Sequence, residues 1–507
     1  VTTNRIQPLC LAALGLLACS NTPTTSQLTV AQLEDPVSCQ NCHPTQFSDW
    51  QGSMHAYASE DPVFLAMNAR GQRETDGGLG PFCIQCHAPM AVQTGLSTDG
   101  LNLAAVPQEF HGVTCFFCHS VAEVAVAHDG GFNDNPLVLS YDGGLRGSIR
   151  PPDPALISSM PHGGTYSPLL DSSVVTSATM CGACHDIVNG HGTAIERTFA
   201  EWEASAFSQD TTGGESCNQC HMPQSTSPGP ITTLPGAPNR ELHAHLFPAI
   251  DSALTSFANA PAQQQAVQQF LDTSLASAVC VDQTLGGYQI QVYLDNVSAG
   301  HMWPSGAAQD RRPWVQVIAT DADGGVIYSS GMVDAGTSPT DVGNDPDRWM
   351  LRDCMFGGAD GGEQVDMFWE ALSFEGNALS PSVTFDPTNL LFYVSHVVQT
   401  YPRTTSLGVA PAQVTMQVYF QPIGLDVLND LIDGGYLEAS VVQAMPTLTV
   451  GPQIVWTPSA AQGPDGSTFA DPNSNQLAQC VSNQGYNTAS NIYTTAQKAV
   501  AKANCFP

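Results

Sequence analysis

The sequence predicts a multidomain chain. A mostly α-helical and irregular region spans residues 36–250, and an all-β, sandwich-like domain spans residues 280–456. Two observations lead to this. The first is one pentapeptide repeated five times: Cys39-Gln-Asn-Cys42-His43, Cys83-Ile-Gln-Cys86-His87, Cys115-Phe-Phe-Cys118-His119, Cys181-Gly-Ala-Cys184-His185 and Cys217-Asn-Gln-Cys220-His221. The second is a set of short stretches that alternate apolar and polar residues, separated by turn signals, beyond residue 280. At 507 residues the chain has room for about two to four domains.

Each Cys-x-x-Cys-His reads as a c-type haem attachment site. The two thiols add to the haem vinyl groups, and the adjoining His becomes the proximal iron ligand. Zinc sites pair two Cys-x-x-Cys units, or one with two later His, and do not require a His after each pair. A redox Cys-x-x-Cys normally occurs once, in a βαβ setting. Five copies therefore predict five covalently attached haems c, with His43, His87, His119, His185 and His221 as proximal ligands. So many porphyrins would form much of the apolar core between residues 36 and 250, leaving short helices joined by Gly/Pro-rich loops. Phe47, Trp50 and Met54 recur at helical spacing after the first motif, as do Phe199, Trp202 and Phe207 after the fourth. They are expected to pack against haem.

Residues 251–279 read as a connecting helix, with Leu254, Phe257, Ala266, Phe270, Leu271 and Leu275 on one broad face. The β region follows. Tyr288 to Leu294 alternate, Trp314 to Thr320 form a second strand, and Asp323-Gly324-Gly325 signals a hairpin into Val326 to Ser329. Leu390 to Val398 and Val414 to Phe420 are further strands, with a short helix over Leu425 to Ile432. Residues 457–507 form a tail with a helix over Ala489 to Ala503.

The N-terminal residues 1–18 read as a lipoprotein signal peptide, with Arg5, a short apolar run from Pro8 to Ala18, and Leu16-Leu17-Ala18-Cys19 as a lipobox. Cys19 would carry lipid, Ser20 fits outer-membrane sorting, and residues 19–35 would be a flexible tether. This places the chain outside the cytoplasm, as an outer-membrane lipoprotein facing the periplasm or the cell surface. Four cysteines remain: Cys280, Cys354, Cys480 and Cys505. An even remainder in an exported chain predicts two disulfides. Nearness in sequence favours Cys480–Cys505 and Cys280–Cys354 among the three possible pairings.

Acid dominates the charge, with 46 Asp+Glu against 14 Lys+Arg and a formal net charge of −32. This argues against nucleic acid and anionic lipid as partners and suits a basic redox partner, an oxidised extracellular acceptor, or solubility alone. The Asp-rich loop from Asp341 to Asp347 raises Ca²⁺ as a ligand, but its spacing fits no strong motif.

Nine further His are available as distal ligands: His55, His111, His128, His162, His191, His243, His245, His301 and His396. Two strong axial ligands suit an iron that only exchanges electrons, whereas catalysis needs an open position. Here the motif blocks carry a resemblance. Cys39 to His43 followed by Trp50-Gln51-Gly52-Ser53-Met54-His55 resembles the opening of multihaem cytochromes of the c-552/c-554 type. The resemblance continues through Gly112 to Ser120, His162 with Tyr166-Ser167-Pro168, Cys181 to Asp186, Glu196, Thr198, Glu201-Trp202, Ser205, and Cys217 to Pro223. The β region resembles the C-terminal module of some such proteins, through Asn296, Gly300-His301-Met302-Trp303-Pro304-Ser305-Gly306 and Arg312.

The resemblance implies closely stacked haems, with His55 and His162 as distal ligands. His301 follows because its tight Gly/Pro loop can reach back to a haem. His245 is preferred over His243, His111 is the fifth choice, and His128, His191 and His396 have weak cases. Five bis-His haems would make an electron conduit serving an external or periplasmic partner. The alternative is an oxidoreductase acting on a small nitrogen or sulfur compound at one open haem. No catalytic residue is assigned, and the absence of a Cys-x-x-Cys-Lys variant leaves no activity to carry over.

Overall fold

A computed structural model describes residues 27–125, 136–140, 144–149, 161–209, 213–343, 345–359, 361–383, 397–460, 469–470, 477–482 and 497–498. The lipobox Cys19, His128, His396 and Cys505 lie outside these residues.

Up to residue 250 the chain is built from short pieces. Helices Pro44–Gln51, Met54–Tyr57, Pro62–Glu74, Cys115–Ser120, Ala178–Gly182, Thr198–Glu203 and Cys217–His221 are joined by turns and two-stranded ladders. Their starts follow from local chemistry. Pro stands at the first turn of Pro44–Gln51 and Pro62–Glu74, where its missing N–H costs nothing. Thr114 caps Cys115–Ser120 by accepting from the Phe117 amide, and Ser216 with Gln219 makes a capping box on Cys217–His221. The apolar interior here is broken into separate small clusters, one around Phe116 and Phe117, one around Phe64 and Ile84, one around Phe199 and Trp202.

Beyond residue 260 the construction changes. Helix Ala260–Ser274 runs directly into strand Leu275–Thr284, so the expected connecting helix starts later and ends earlier than its apolar pattern suggested. Ala276, Ala278 and Cys280 on this strand point to one face while Val279 and Val281 point to the other, a period-two pattern that a helix cannot satisfy. One sheet runs in the order 469–470, 477–482, 275–284, 287–296, 397–401, 497–498. The second runs 326–330, 312–320, 413–421, 448–456, with 349–350 also pairing 312–320. Ile290, Val292 and Leu294 from the first sheet share one buried core with Val315, Val317, Val414, Met416, Val418 and Ile454 from the second. That is the expected sandwich.

Two expectations are corrected. Cys280 is bonded to Cys480, not to Cys354, and Cys354 is disulfide-bonded to a residue outside the described set. The reason is pairing in the sheet: strand Leu477–Ser482 returns antiparallel to Leu275–Thr284 and sets Cys480 directly opposite Cys280. Within the predicted C-terminal helix, Gln497–Lys498 instead pairs in parallel with Val397–Val398. Helix Leu425–Asp433 forms where expected and packs Leu425, Leu428 and Leu431 against Val63 and Ala66 of Pro62–Glu74. Arg311 with Asp251 and Arg70 with Asp430 add ion pairs across the same junction. No helix among the described residues is long and apolar enough to cross a membrane.

Candidate haem-binding sites

Each Cys-x-x-Cys-His occupies about one helical turn, which sets its two sulfurs and its imidazole on neighbouring positions. The packing around these turns is tight. A Cβ on Gly182, inside the fourth motif, would come 2.5 Å from the Phe199 ring. Trp50 donates its indole N–H to the Val113 carbonyl at 2.8 Å, just ahead of the third motif. Trp202 does the same to Glu215 at 2.9 Å, just ahead of the fifth. These two tryptophans thus pin the approach to a later Cys-x-x-Cys-His turn as well as filling space.

The ring nitrogens sort the histidines. His43, His87, His119 and His221 hold Nδ1 against the carbonyls of Ile231, Ala58, Arg146 and Pro248 at 2.7–3.1 Å. His162, His245 and His301 hold Nδ1 against the carbonyls of Gly163, His243 and Met302 at 2.7–2.9 Å. A carbonyl can only accept, so the proton sits on Nδ1 and the Nε2 lone pair is left for a metal. Burial holds His55 down to about 3, and His87, His245 and His301 down to about 4, with neighbouring imidazoles adding to the effect. The neutral ring is the form that ligates.

Three pairs of these rings face each other. His43 and His162 have centroids 6.2 Å apart, His55 and His185 are 6.3 Å apart, and His221 and His301 are 6.4 Å apart. An iron between two imidazoles with metal–nitrogen bonds of about 2 Å puts the centroids roughly 6 Å apart. The residues present therefore fit a bis-His haem at each pair. His245 lies in the electrostatic reach of His119, the proximal ring of the third motif.

Other expectations fare differently. His111 contacts Glu60 through Nδ1 at 3.2 Å and the Val106 carbonyl through Nε2 at 3.0 Å, so it has no nitrogen left for an iron. The proposal of His111 as a fifth distal ligand is corrected on that ground. His243 is likewise occupied on both sides, by the Met222 carbonyl and by Ser172 and Gln224. His191 is exposed. Among the described residues no imidazole faces His87 at pair distance; Phe64 stacks on its ring at 4.1 Å instead. No cluster of His, Cys, Asp and Glu able to hold a metal ion, such as a Ca²⁺ site, occurs among the described residues.

The motifs also touch one another. The free thiol of Cys39 neighbours that of Cys115, Cys86 neighbours Cys184, and Cys181 neighbours Cys217. Cys118 is close enough to feel Cys181 and Cys184. The first motif thus adjoins the third, and the fourth sits beside the second, third and fifth.

Residues 38–120 match the family model described as cytochrome c554 and c-prime. The fold matches the crystal structure of a penta-heme cytochrome c552 from Thermochromatium tepidum with a TM-score of 0.57 over 85% of this chain and 99% of that one, at 18% identity. The chain is similar to multihaem c-type cytochromes of the c552/c554 type, in sequence over residues 38–120 and in fold over most of its length. No curated protein matches it.

The chain contains a repeat that composition and haem motifs conceal. Phe47-x-x-Trp50-x-x-Ser53 and Phe199-x-x-Trp202-x-x-Ser205 share spacing and bonds, with Phe47, Phe199 and Trp202 buried and Trp50 partly buried. Both serines donate to the tryptophan carbonyl at 2.7 Å and accept from a following amide. Two residues after the serine, the first copy has His55 and the second has Phe207. The second copy thus lacks an imidazole at that place. Gly300, next to His301, sits over Phe207, where a Cβ would lie 3.4 Å from its ring. The loop Gly300–Gly306 thus places His301 next to the position where the second copy carries Phe207 rather than His.

Proposed function

We propose that this cytochrome carries five covalently attached haems c and serves as an electron conduit. The observation that carries this reading is the three imidazole pairs set 6.2–6.4 Å apart next to attachment turns. When bound, haem c supplies one-electron exchange at its iron. The chain's part is to hold two neutral rings at a fixed spacing, so that little rearranges when the iron changes charge. His43, His119, His185 and His221 would be proximal ligands to pairs completed by His162, His245, His55 and His301. The Cys pairs of all five motifs would make the thioethers. Export, lipidation at Cys19 and an outer-membrane address belong to the same reading, as does a basic redox partner or an extracellular acceptor meeting a chain of net charge −32.

A second reading rests on His87, which no described imidazole faces. That iron would keep an open side, where a small nitrogen or sulfur compound binds. EPR of the oxidised holoprotein, with intact mass, tests both. The conduit reading expects five haems by mass and low-spin signals from at least four. One high-spin signal with carbon monoxide binding on reduction, together with turnover of hydroxylamine, nitrite or tetrathionate, would move the function to the His87 site. A mass other than five haems, or several high-spin signals, would sink the conduit reading.

A further inference from the structure

We propose that Glu201 is a positioning residue that sets the ring plane of His301. This rests on the reading of His301 as an axial ligand. The loop from Gly300 to Gly306 belongs to the sandwich in sequence, but its hydrogen bonds go to helix Thr198–Glu203 of the haem region. The Glu201 carboxylate accepts from the Met302 amide at 3.2 Å and from the Ser305 hydroxyl at 2.5 Å. Thr198 shares a 2.7 Å hydroxyl contact with Ser305 and accepts from the Gly306 amide at 3.1 Å. Met302 is also the residue whose carbonyl receives the His301 Nδ1 proton at 2.8 Å. One carboxylate therefore fixes the residue that fixes the imidazole. From the sandwich side, Asn296 donates to the His301 carbonyl at 2.6 Å, so the loop is held at both ends.

The outcome of this grip is visible in the ring planes. His301 and His221 are 14° from parallel, whereas the His43–His162 and His55–His185 pairs are tilted by 40° and 52°. Parallel axial imidazoles give a low-spin ferric haem an ordinary rhombic EPR signal, and tilted planes push the largest g value upward. The His221–His301 haem is then the one with the most rhombic signal, and the clasp on Met302 is what keeps it so. The His55 pair has no such clasp. Its distal ring comes from the helix Met54–Tyr57 itself, and neither His55 nor His185 has a ring-nitrogen hydrogen bond among the described residues.

The experiment is EPR and potentiometric titration of the intact holoprotein. Glu201→Ala is expected to move one rhombic signal to larger g and shift one potential, leaving the other haems unchanged. Glu201→Gln keeps an acceptor oxygen for Met302 and is expected to restore most of the wild-type signal, which a general loss of packing would not allow. Ser305→Ala, a milder change, should give a smaller shift in the same signal and serves if Glu201→Ala fails to fold. His301→Met separates the two claims. If it removes the rhombic signal while folded Glu201→Ala, or Ser305→Ala in its place, leaves that signal and its potential untouched, the role of Glu201 is overturned and the ligand reading stands. If His301→Met changes no haem signal, both fall.

Discussion

The two halves of this chain solve the problem of an interior in opposite ways. The sandwich has one continuous apolar core between two sheets, from Val279 and Ile290 on one side to Met416 and Trp456 on the other. The haem region has several small clusters, each a handful of residues around one or two aromatics. Burial of apolar side chains stabilises by about 25 cal/mol per Å², and small separate clusters remove less area from water than one thick layer does. The difference is the one expected if bound haem would complete the first region, whereas the sandwich is complete as a polypeptide.

The strongest way to break that contrast is to withhold haem. Full-length chain made without haem attachment is expected to lose the fold up to residue 250 while the sandwich stays resistant to protease. Limited proteolysis with mass mapping would read this directly. Equal protection of both regions in the haem-free chain would show that the small clusters suffice.

The next effect belongs to the sandwich. The Cys280–Cys480 bond spans 200 residues of sequence and ties an outer strand of the sheet to its neighbour. Replacing Cys480 with Ser is expected to cost about 3–5 kcal/mol of sandwich stability, with haem absorption unchanged. A simultaneous change in the haem spectra would mean that the two regions unfold as one unit.

Much of this layout is legible in the sequence, and what is not has physical reasons. Five attachment turns and the strands at 287–296, 312–320 and 413–421 are local signals, a fixed pentapeptide and a period of two, so they can be read off directly. The Cys280–Cys480 bond cannot, because it depends on a strand that returns after 200 residues to lie beside Leu275–Thr284. The physical reason for His245 over His243, which the sequence already preferred, is which ring nitrogens are already taken, and only the fold reveals that. The exclusion of His111 has the same origin. The repeat of Phe-x-x-Trp-x-x-Ser was readable, but unequal spacing from the haem motifs hid it.

A third effect concerns how each region treats buried charge. In the sandwich, Arg312 is buried and pairs with Asp426 at 2.6 Å, with the Gln309 and Arg311 carbonyls accepting from its Nη1. In the haem region, Glu196 has one buried carboxylate oxygen with no partner, and burial lifts the group to about 7. Its ordinary value is 4.5, so the native state binds a proton more tightly than the unfolded chain does. The penalty is absent below pH 4.5, grows as the pH rises, and is complete above about 7. Glu196→Gln is therefore expected to stabilise the holoprotein above pH 7, by up to about 3 kcal/mol, and to do nothing at pH 4. A gain that is the same at both pH values would assign the effect to shape rather than charge.

The smallest expected effect sharpens the contrast within the haem region itself, between rings that ligate and rings that only pack. His111 stands in a family-matched segment and follows the same sequence logic as His55, yet both of its nitrogens are engaged by protein atoms. Its partner Glu60 has a side chain 39% exposed, so the pair is worth under about 1 kcal/mol. His111→Ala should therefore leave every EPR signal and potential in place and lower stability only within that margin. His162→Ala, which removes a ring 6.2 Å from His43, should convert one low-spin haem to high-spin and admit carbon monoxide on reduction. The two variants differ in whether Nε2 is free and whether a second imidazole faces the ring, and so they test the rule by which the ligands were sorted. A lost low-spin signal in His111→Ala would show that a ring with both nitrogens engaged in the protein can still turn to an iron, and the sorting would have to be redone for His243 as well.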